Sequence, residues 1–150
     1  MLFRSKELFE EKNFIFKEID SVFNELDDFL AANTNSDYSF IYDQIVCFGE
    51  LLSTKIISVY LTNNGVQNEW LDIRTIIKTD QKYRKANVNW DQTLQNCQQH
   101  IDKNQLYITQ GFISADSLNQ TTTTLGREGS DFTAGILAYC LDAESVTIWK

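Results

Sequence analysis

The chain has 150 residues, with 21 acidic against 13 basic side chains, a formal net charge of −8, six glycines, three cysteines, one histidine and no proline. Its length suits one domain burying about 70% of its unfolded surface, and 43% hydrophobic with 23% charged residues excludes disordered and collagen-like classes. No run approaches the roughly 18 uninterrupted apolar residues of a membrane span, Met1 to Glu11 offers no signal-peptide core, and the acidity speaks against nucleic acid.

Taken in chain order, the apolar residues from Glu7 to Leu30 recur at helical spacing, through Leu8, Phe9, Ile15, Phe16, Ile19, Val22, Phe23, Leu26, Phe29 and Leu30. This predicts one long amphipathic helix with a possible break near Asn13. Residues 1–31 hold eight acids and four bases, so half the net charge sits there. The polar stretch Asn33 to Asp37 reads as a connection. A second helix is expected from Phe40 to Leu61, with Ile41, Ile45, Phe48, Leu52, Ile56 and Val59 on its inner side. Asn63-Asn64-Gly65 is its stop, because these residues tolerate the left-handed conformation that ends helices.

Trp70 to Ile73 is a short strand candidate, and Trp90 to Lys103 a modest helix. Between them, residues 71–90 carry Arg74, Lys78, Lys82, Arg84 and Lys85 against Asp72 and Asp80. That balance fits either a positive loop near an anionic ligand or a solvated loop. Leu106 to Ser114 reads as a buried strand running into a loop. Ala115 to Thr124 is polar, threonine-rich and too irregular for either periodicity. Its hydroxyls suit hydrogen bonding to a ligand or an exposed loop. An apolar helix follows through Leu141, and Ser145 to Lys150 is β-branched and aromatic, hence a strand. Helices alternating with short apolar strands imply an α/β fold with a mostly parallel sheet.

Cys47, Cys97 and Cys140 are odd in number and widely spaced, which favours reduced thiols in a cytoplasmic setting over a disulfide framework. Cys97 and His100 could share one helical face, but zinc needs about four ligands and no second pair lies near, so no metal site is expected. Asn119-Gln120-Thr121 matches the glycosylation acceptor pattern by chance.

Two segments have chemical potential. Gly126-Arg-Glu-Gly-Ser-Asp131 precedes a helix, whose start offers unpaired N–H groups and a positive dipole end. Arg127 could clamp a carboxylate with two hydrogen bonds, while Ser130 and Asp131 also make sense as helix caps. The segment lacks the lysine of a Walker A loop and is not G-x-G-x-x-G. In Phe48-Gly-Glu-Leu-Leu-Ser53, a glycine inside a helical pattern costs about 1 kcal/mol relative to alanine. Either something approaches closely there or the helix begins there. Glu50 lies among apolar residues, where a carboxylate needs a cation, from a substrate ammonium or a protein arginine. Nucleophilic catalysis has no support, since G-x-S-x-G is absent and the single histidine has no evident nucleophile.

These two segments, with Trp70-Leu-Asp-Ile-Arg74, Ile108-Thr-Gln-Gly-Phe-Ile113, the threonines preceding Leu125 and Val146-Thr-Ile-Trp149, stand in an order and at spacings that closely resemble aspartate kinase, of the amino-acid kinase family. The resemblance covers about Tyr42 to Lys150, and the threonine–Leu-Gly-Arg-x-Gly-Ser-Asp131 signature is its most specific part. It implies a partial three-layer αβα fold, with 1–36 as a leading helical segment and 37–150 as the amino-acid-substrate half. It also implies transfer of the γ-phosphoryl group of ATP, with Mg²⁺, to the side-chain carboxylate of L-aspartate. The product, 4-phospho-L-aspartate, feeds lysine, threonine and methionine synthesis. By the same resemblance Glu50 receives the substrate ammonium, Arg127 clamps a carboxylate and Ser130 hydrogen-bonds the substrate. Gly111 and Phe112 offer backbone contacts, and Asp131 organises the catalytic centre. The partners implied are L-aspartate and ATP, with room for a homo-oligomer.

The family's Lys-Phe-Gly-Gly-Thr-Ser loop, its Asp-Val-Pro-Gly loop and its regulatory ACT domains have no counterpart in these 150 residues. The chain is therefore expected to be an internal piece of the catalytic domain, inactive alone. The alternatives are a non-catalytic aspartate-binding or regulatory fragment, and an interaction module built on the acidic leading helix.

Overall fold

Asp37 ends the polar connection and starts the longest helix, its side chain accepting a hydrogen bond from the Ser39 amide at 2.8 Å. In the computed structural model, which describes residues 8–10 and 13–149, that helix is α2 (Tyr38–Asn63). It follows α1 (Ile15–Ala32). Asn13 accepts a hydrogen bond from the Ile15 amide at 3.0 Å, so the break anticipated near Asn13 is where α1 begins. The ends of two expected elements, Glu7 and Lys150, and residues 11 and 12 lie outside the described residues.

Two faces of α2 are covered, which its sequence did not convey. Leu52, Phe48, Ile56 and Val59 pack against Ile15, Ile19 and Val22 of α1. Cys47 and Leu51 enter the main core instead, and the buried row on that side is Asp43, Cys47, Leu51, Thr54 and Ser58. Three of these five are polar, so an apolar periodicity finds only the α1 side. Ile45, expected inside, is 37% exposed, and on α1 Phe23 and Leu30 are exposed as well. By length and composition α2 could cross a bilayer, yet its Asp43, Gln44 and Thr54 are bonded to the sheet side.

The strands are β1 (Glu69–Leu71), β2 (Lys78–Thr79), β3 (Tyr107–Thr109), β4 (Ile113–Asp116) and β5 (Thr122–Thr124). The single-turn α3 (Ile73–Ile76) and α4 (Trp90–His100) separate the parallel strands, and α5 (Gly129–Leu141) follows β5. β1 pairs parallel with β3, placing Trp70 opposite Ile108. β2 pairs parallel with β4, and β4 antiparallel with β5. The fold is thus α/β with mostly parallel pairing. Its core gathers Cys47, Leu51, Ile73, Ile76, Ile77, Cys97, Ile113, Leu125, Ile136 and Cys140.

Several expectations are corrected. Ala115 to Thr124 is most of the β4–β5 hairpin: only its turn at 118–120 is exposed, and Thr122, Thr123 and Thr124 are buried. Their hydroxyls are absorbed internally: Thr123 meets Thr79 at 2.7 Å and Ser114 at 2.9 Å, and Thr124 donates to Asp43 at 2.9 Å. Threonine is β-branched and fits a pleated surface once its hydroxyl is bonded. Asp116 closes the hairpin by accepting from the amides of Leu118, Asn119 and Thr121. The expected strand at 145–149 is not a strand; Val146, Ile148 and Trp149 are exposed there. A strand needs a ladder partner, and among the described residues this segment has none.

All three cysteines are unpaired thiols in the interior. Cys97 faces the core while His100 is exposed, so the two do not share a face.

Candidate functional site

The corner between β3 and β4 meets the N-terminus of α5, and the contact is closed by two glycines. A β-carbon on Gly111 would stand 2.7 Å from the Ser130 Cβ, and one on Gly129 would stand 2.7 Å from the Phe112 ring and 3.1 Å from its Cα. Distances below 3.0 Å are not tolerated, so glycine at both positions is what lets the helix start seat on the corner. Phe112 itself has φ of 72°. This conformation is unfavourable for a bulky side chain, and such residues cluster at functional sites. It is held from both sides: the Phe112 N–H donates to the Thr133 hydroxyl at 3.0 Å, and its carbonyl accepts from the Leu125 amide at 2.9 Å. Thr133 in turn donates to the Gly129 carbonyl.

The segment carrying Arg127 is a tight turn. Gly126 has φ of 82° and Glu128 φ of 57°, and the Gly129 N–H reaches back to the Gly126 carbonyl at 3.0 Å. Glu128 is the N-cap of α5 and makes no side-chain cap bond. Neither Ser130 nor Asp131 is the N-cap residue; both lie inside the first turn of the helix. An uncapped helix start keeps N–H donors and the positive dipole end available for an anion. Arg127 and Ser130 are exposed, and Asp131 is half-buried.

Glu50 sits in mid-helix on α2. Burial raises its carboxyl above the ordinary 4.5, and among the described residues no arginine or lysine is bonded to it. Gly49, beside it, neither begins a helix nor meets a close neighbour; the space where its β-carbon would stand is open for 4 Å. Glu50 is tied to the corner through the backbone. Its carbonyl accepts from the Thr54 hydroxyl, and Thr54 accepts from the side chain of Gln110, the residue before Gly111.

The positive stretch between residues 71 and 90 is largely consumed internally. Arg74 pairs with Asp72 at 2.7 Å, and Lys78 donates to the Arg74 carbonyl and the Gln120 side chain. Arg84 lies 4.8 Å from the ring of Tyr42 and 5.6 Å from that of Tyr38. Its carbonyl and the Lys85 side chain flank Gly126, which brings this loop beside the Arg127 turn. Behind the turn, Asp43 accepts from the amides of Arg84 and Thr124, and Gln44 both donates to and accepts from the Thr122 backbone.

The fold thus brings Gly111, Phe112, Ser130 and the Arg127 turn together and links Glu50 to them through Thr54 and Gln110. Sequence reasoning missed Thr54, Gln110, Thr133, Asp43 and Gln44. Their only trace in the sequence is a polar residue where the helical or strand pattern calls for an apolar one. Among the described residues no three His, Cys, Asp or Glu side chains group closely enough to hold a metal ion.

The model of the amino acid kinase family matches residues 7–150. Lysine-sensitive aspartokinase 3 of Escherichia coli is 34% identical over 140 residues, covering 91% of this chain and 31% of its own length. An aspartokinase of Chlamydia pneumoniae is 35% identical over 109 residues, covering 72% and 24%. Among solved structures, Escherichia coli aspartokinase III in complex with lysine and aspartate superposes with a TM-score of 0.86 at 32% identity, over 95% of this chain and 33% of that one. The same enzyme with aspartate and ADP gives the same score. The chain spans about a third of the length of the Escherichia coli aspartokinase. It belongs to the amino acid kinase family, and within that family it is similar to the aspartokinases.

Proposed function

We propose that this chain is the amino-acid-binding part of an aspartokinase, the enzyme that moves the γ-phosphoryl group of ATP to the side-chain carboxylate of L-aspartate. The observation that carries this reading is the seating of Gly129 and Ser130 on Gly111 and Phe112, which joins two distant segments around an uncapped helix start. Glu50, partly desolvated and with no lysine or arginine bonded to it among the described residues, suits the substrate ammonium. Arg127, exposed and without a bonded partner among the described residues, suits a carboxylate through its planar fork. The Ser130 hydroxyl and the backbone at Gly111 and Phe112 orient the ligand, and Asp131 stands in the same helical turn. Phosphoryl transfer depends mainly on such positioning and on charge neutralisation. In the whole enzyme ATP with Mg²⁺ supplies the phosphoryl group, and the product feeds lysine, threonine and methionine synthesis. The cytoplasm is the compartment that suits the three reduced thiols.

Calorimetric titration tests the reading. The chain binds L-aspartate saturably and binds succinate, which lacks the ammonium, about tenfold more weakly, as expected for one lost charge-assisted contact. Equal affinity for the two ligands would refute the role given to Glu50. With ATP, Mg²⁺ and L-aspartate the chain alone produces no acyl phosphate trapped as hydroxamate; clear turnover from pure material contradicts the view that it holds only the amino-acid side.

A further inference from the structure

Gln110 is 1% exposed, and both ends of its side-chain amide are used. Its Oε1 accepts from the Ile73 N–H at 2.9 Å, and its Nε2 donates to the Thr54 Oγ1 at 2.8 Å. The orientation of the amide is dictated by these partners, since reversing it would set the NH₂ group against an N–H donor. Thr54 is equally saturated. It accepts from Gln110 and from the Trp70 indole at 3.0 Å, and its single proton is shared between the carbonyls of Glu50 at 2.9 Å and Leu51 at 3.2 Å. One buried amide therefore ties together the turn of α2 that carries Glu50, the start of α3 after β1, and the backbone entering Gly111 and Phe112.

A leucine or methionine of this volume would strand the Ile73 N–H and leave Thr54 unlinked, so the glutamine does more than fill space. Of its two bonds, one serves the start of α3 at Ile73 and the other reaches the α2 turn that carries Glu50. We propose that Gln110 is a positioning residue: with Thr54 as relay, it sets the distance between Glu50 and the Gly111–Phe112 corner. The ligand consequence rests on the aspartate reading above, whereas the geometric consequence does not.

The test uses the ¹⁵N-labelled chain with Thr54→Val, which removes the relay at constant shape, Thr54→Ser, which keeps it, and Gln110→Glu. The last, studied at a pH where its carboxyl is ionised, retains the acceptor for Ile73 and cannot donate to Thr54, at the cost of a buried charge. Amide exchange is followed at Phe112 and, as internal reference, at Thr124, whose N–H is held by Asp43 at 2.9 Å. Thr54→Val and Gln110→Glu raise exchange at Phe112 about tenfold relative to Thr124 and weaken L-aspartate binding about tenfold, the scale of one lost buried hydrogen bond, while Thr54→Ser stays within about twofold on both. Exchange at Phe112 that merely follows Thr124, or a serine variant as impaired as the valine one, overturns the proposal. So does failure of both disruptive variants to fold, which assigns the pair to plain core stability. If Phe112 responds as expected while no form of the chain binds L-aspartate, the positioning role stands and the substrate reading fails.

Discussion

Ser130 occupies the space a β-carbon on Gly111 would need, its Cβ 2.7 Å and its Cα 2.8 Å from that point. The obstacle is helix backbone together with a short side chain, so it cannot rotate away. Gly111→Ala therefore pushes α5 off the β3–β4 corner, at a cost of about 1–3 kcal/mol in urea unfolding, and weakens L-aspartate binding because Ser130 moves with the helix. Gly129→Ala behaves alike through Phe112. Gly49→Ala is the opposite case: open space inside a helix predicts a gain of up to about 1 kcal/mol. A loss of stability at Gly49 would contradict the open space there.

Glu50 predicts a pH dependence of binding. Burial holds its carboxyl above the ordinary 4.5, so in the free chain it takes up a proton at a higher pH than an exposed glutamate does. Only the ionised form pairs with an ammonium group. Affinity for L-aspartate therefore rises with pH through a window just above the ordinary value and then levels off, and bound ligand draws the Glu50 pKa back down. The sign for the free fold is the reverse: a raised carboxyl pKa contributes stability that is lost as pH rises through that window. Calorimetry from about pH 4 to 7 reads the first effect, and Glu50→Gln abolishes it.

Arg127 separates binding from stability. It is exposed, and among the described residues no bond holds its guanidinium. Arg127→Ala leaves the unfolding midpoint within about 0.5 kcal/mol, yet lowers L-aspartate affinity about tenfold to a hundredfold through loss of a charge-assisted pair. Arg127→Lys recovers part of that loss, since a point charge replaces a fork. An unchanged affinity in the alanine variant would remove Arg127 from the site.

Asp43 is a purely architectural counterpart. Fully buried, it accepts from the Arg84 and Thr124 amides at 2.8 and 2.9 Å and from the Thr124 hydroxyl at 2.9 Å. Asp43→Ala strands these donors and destabilises the chain by about 2–4 kcal/mol. Thermal and urea unfolding measure this directly. The Arg127 turn, which follows β5, loosens as a consequence.

How far the sequence could be read differs from element to element. The α1 side of α2 was legible because Phe48, Leu52, Ile56 and Val59 are apolar at helical spacing. Its sheet side was not, because Asp43, Thr54 and Ser58 look solvent-facing until their partners are known. The Thr122–Thr124 strand was hidden for the same reason: a hydroxyl is polar in a sequence and nearly neutral to burial once bonded. Conversely, Ser145 to Trp149 has every local preference of a strand and forms none among the described residues, since pairing is supplied by a neighbour and not by the segment.

Length, composition and charge excluded disordered and collagen-like classes and pointed to an α/β chain of one domain's size, and the ordered motifs pointed to a family. Those properties are local: residue types, spacing and hydropathy act over a turn or a strand, and they survive in a linear reading. The length of 150 suggested a whole domain, but the chain corresponds to about a third of the Escherichia coli relative. Which glycines are indispensable, where Glu50 stands relative to Phe112, and which polar side chains are interior were decided only by tertiary structure. Burial and hydrogen bonding are pairwise, and the partners here lie tens of residues apart, as Gln110 and Thr54 do.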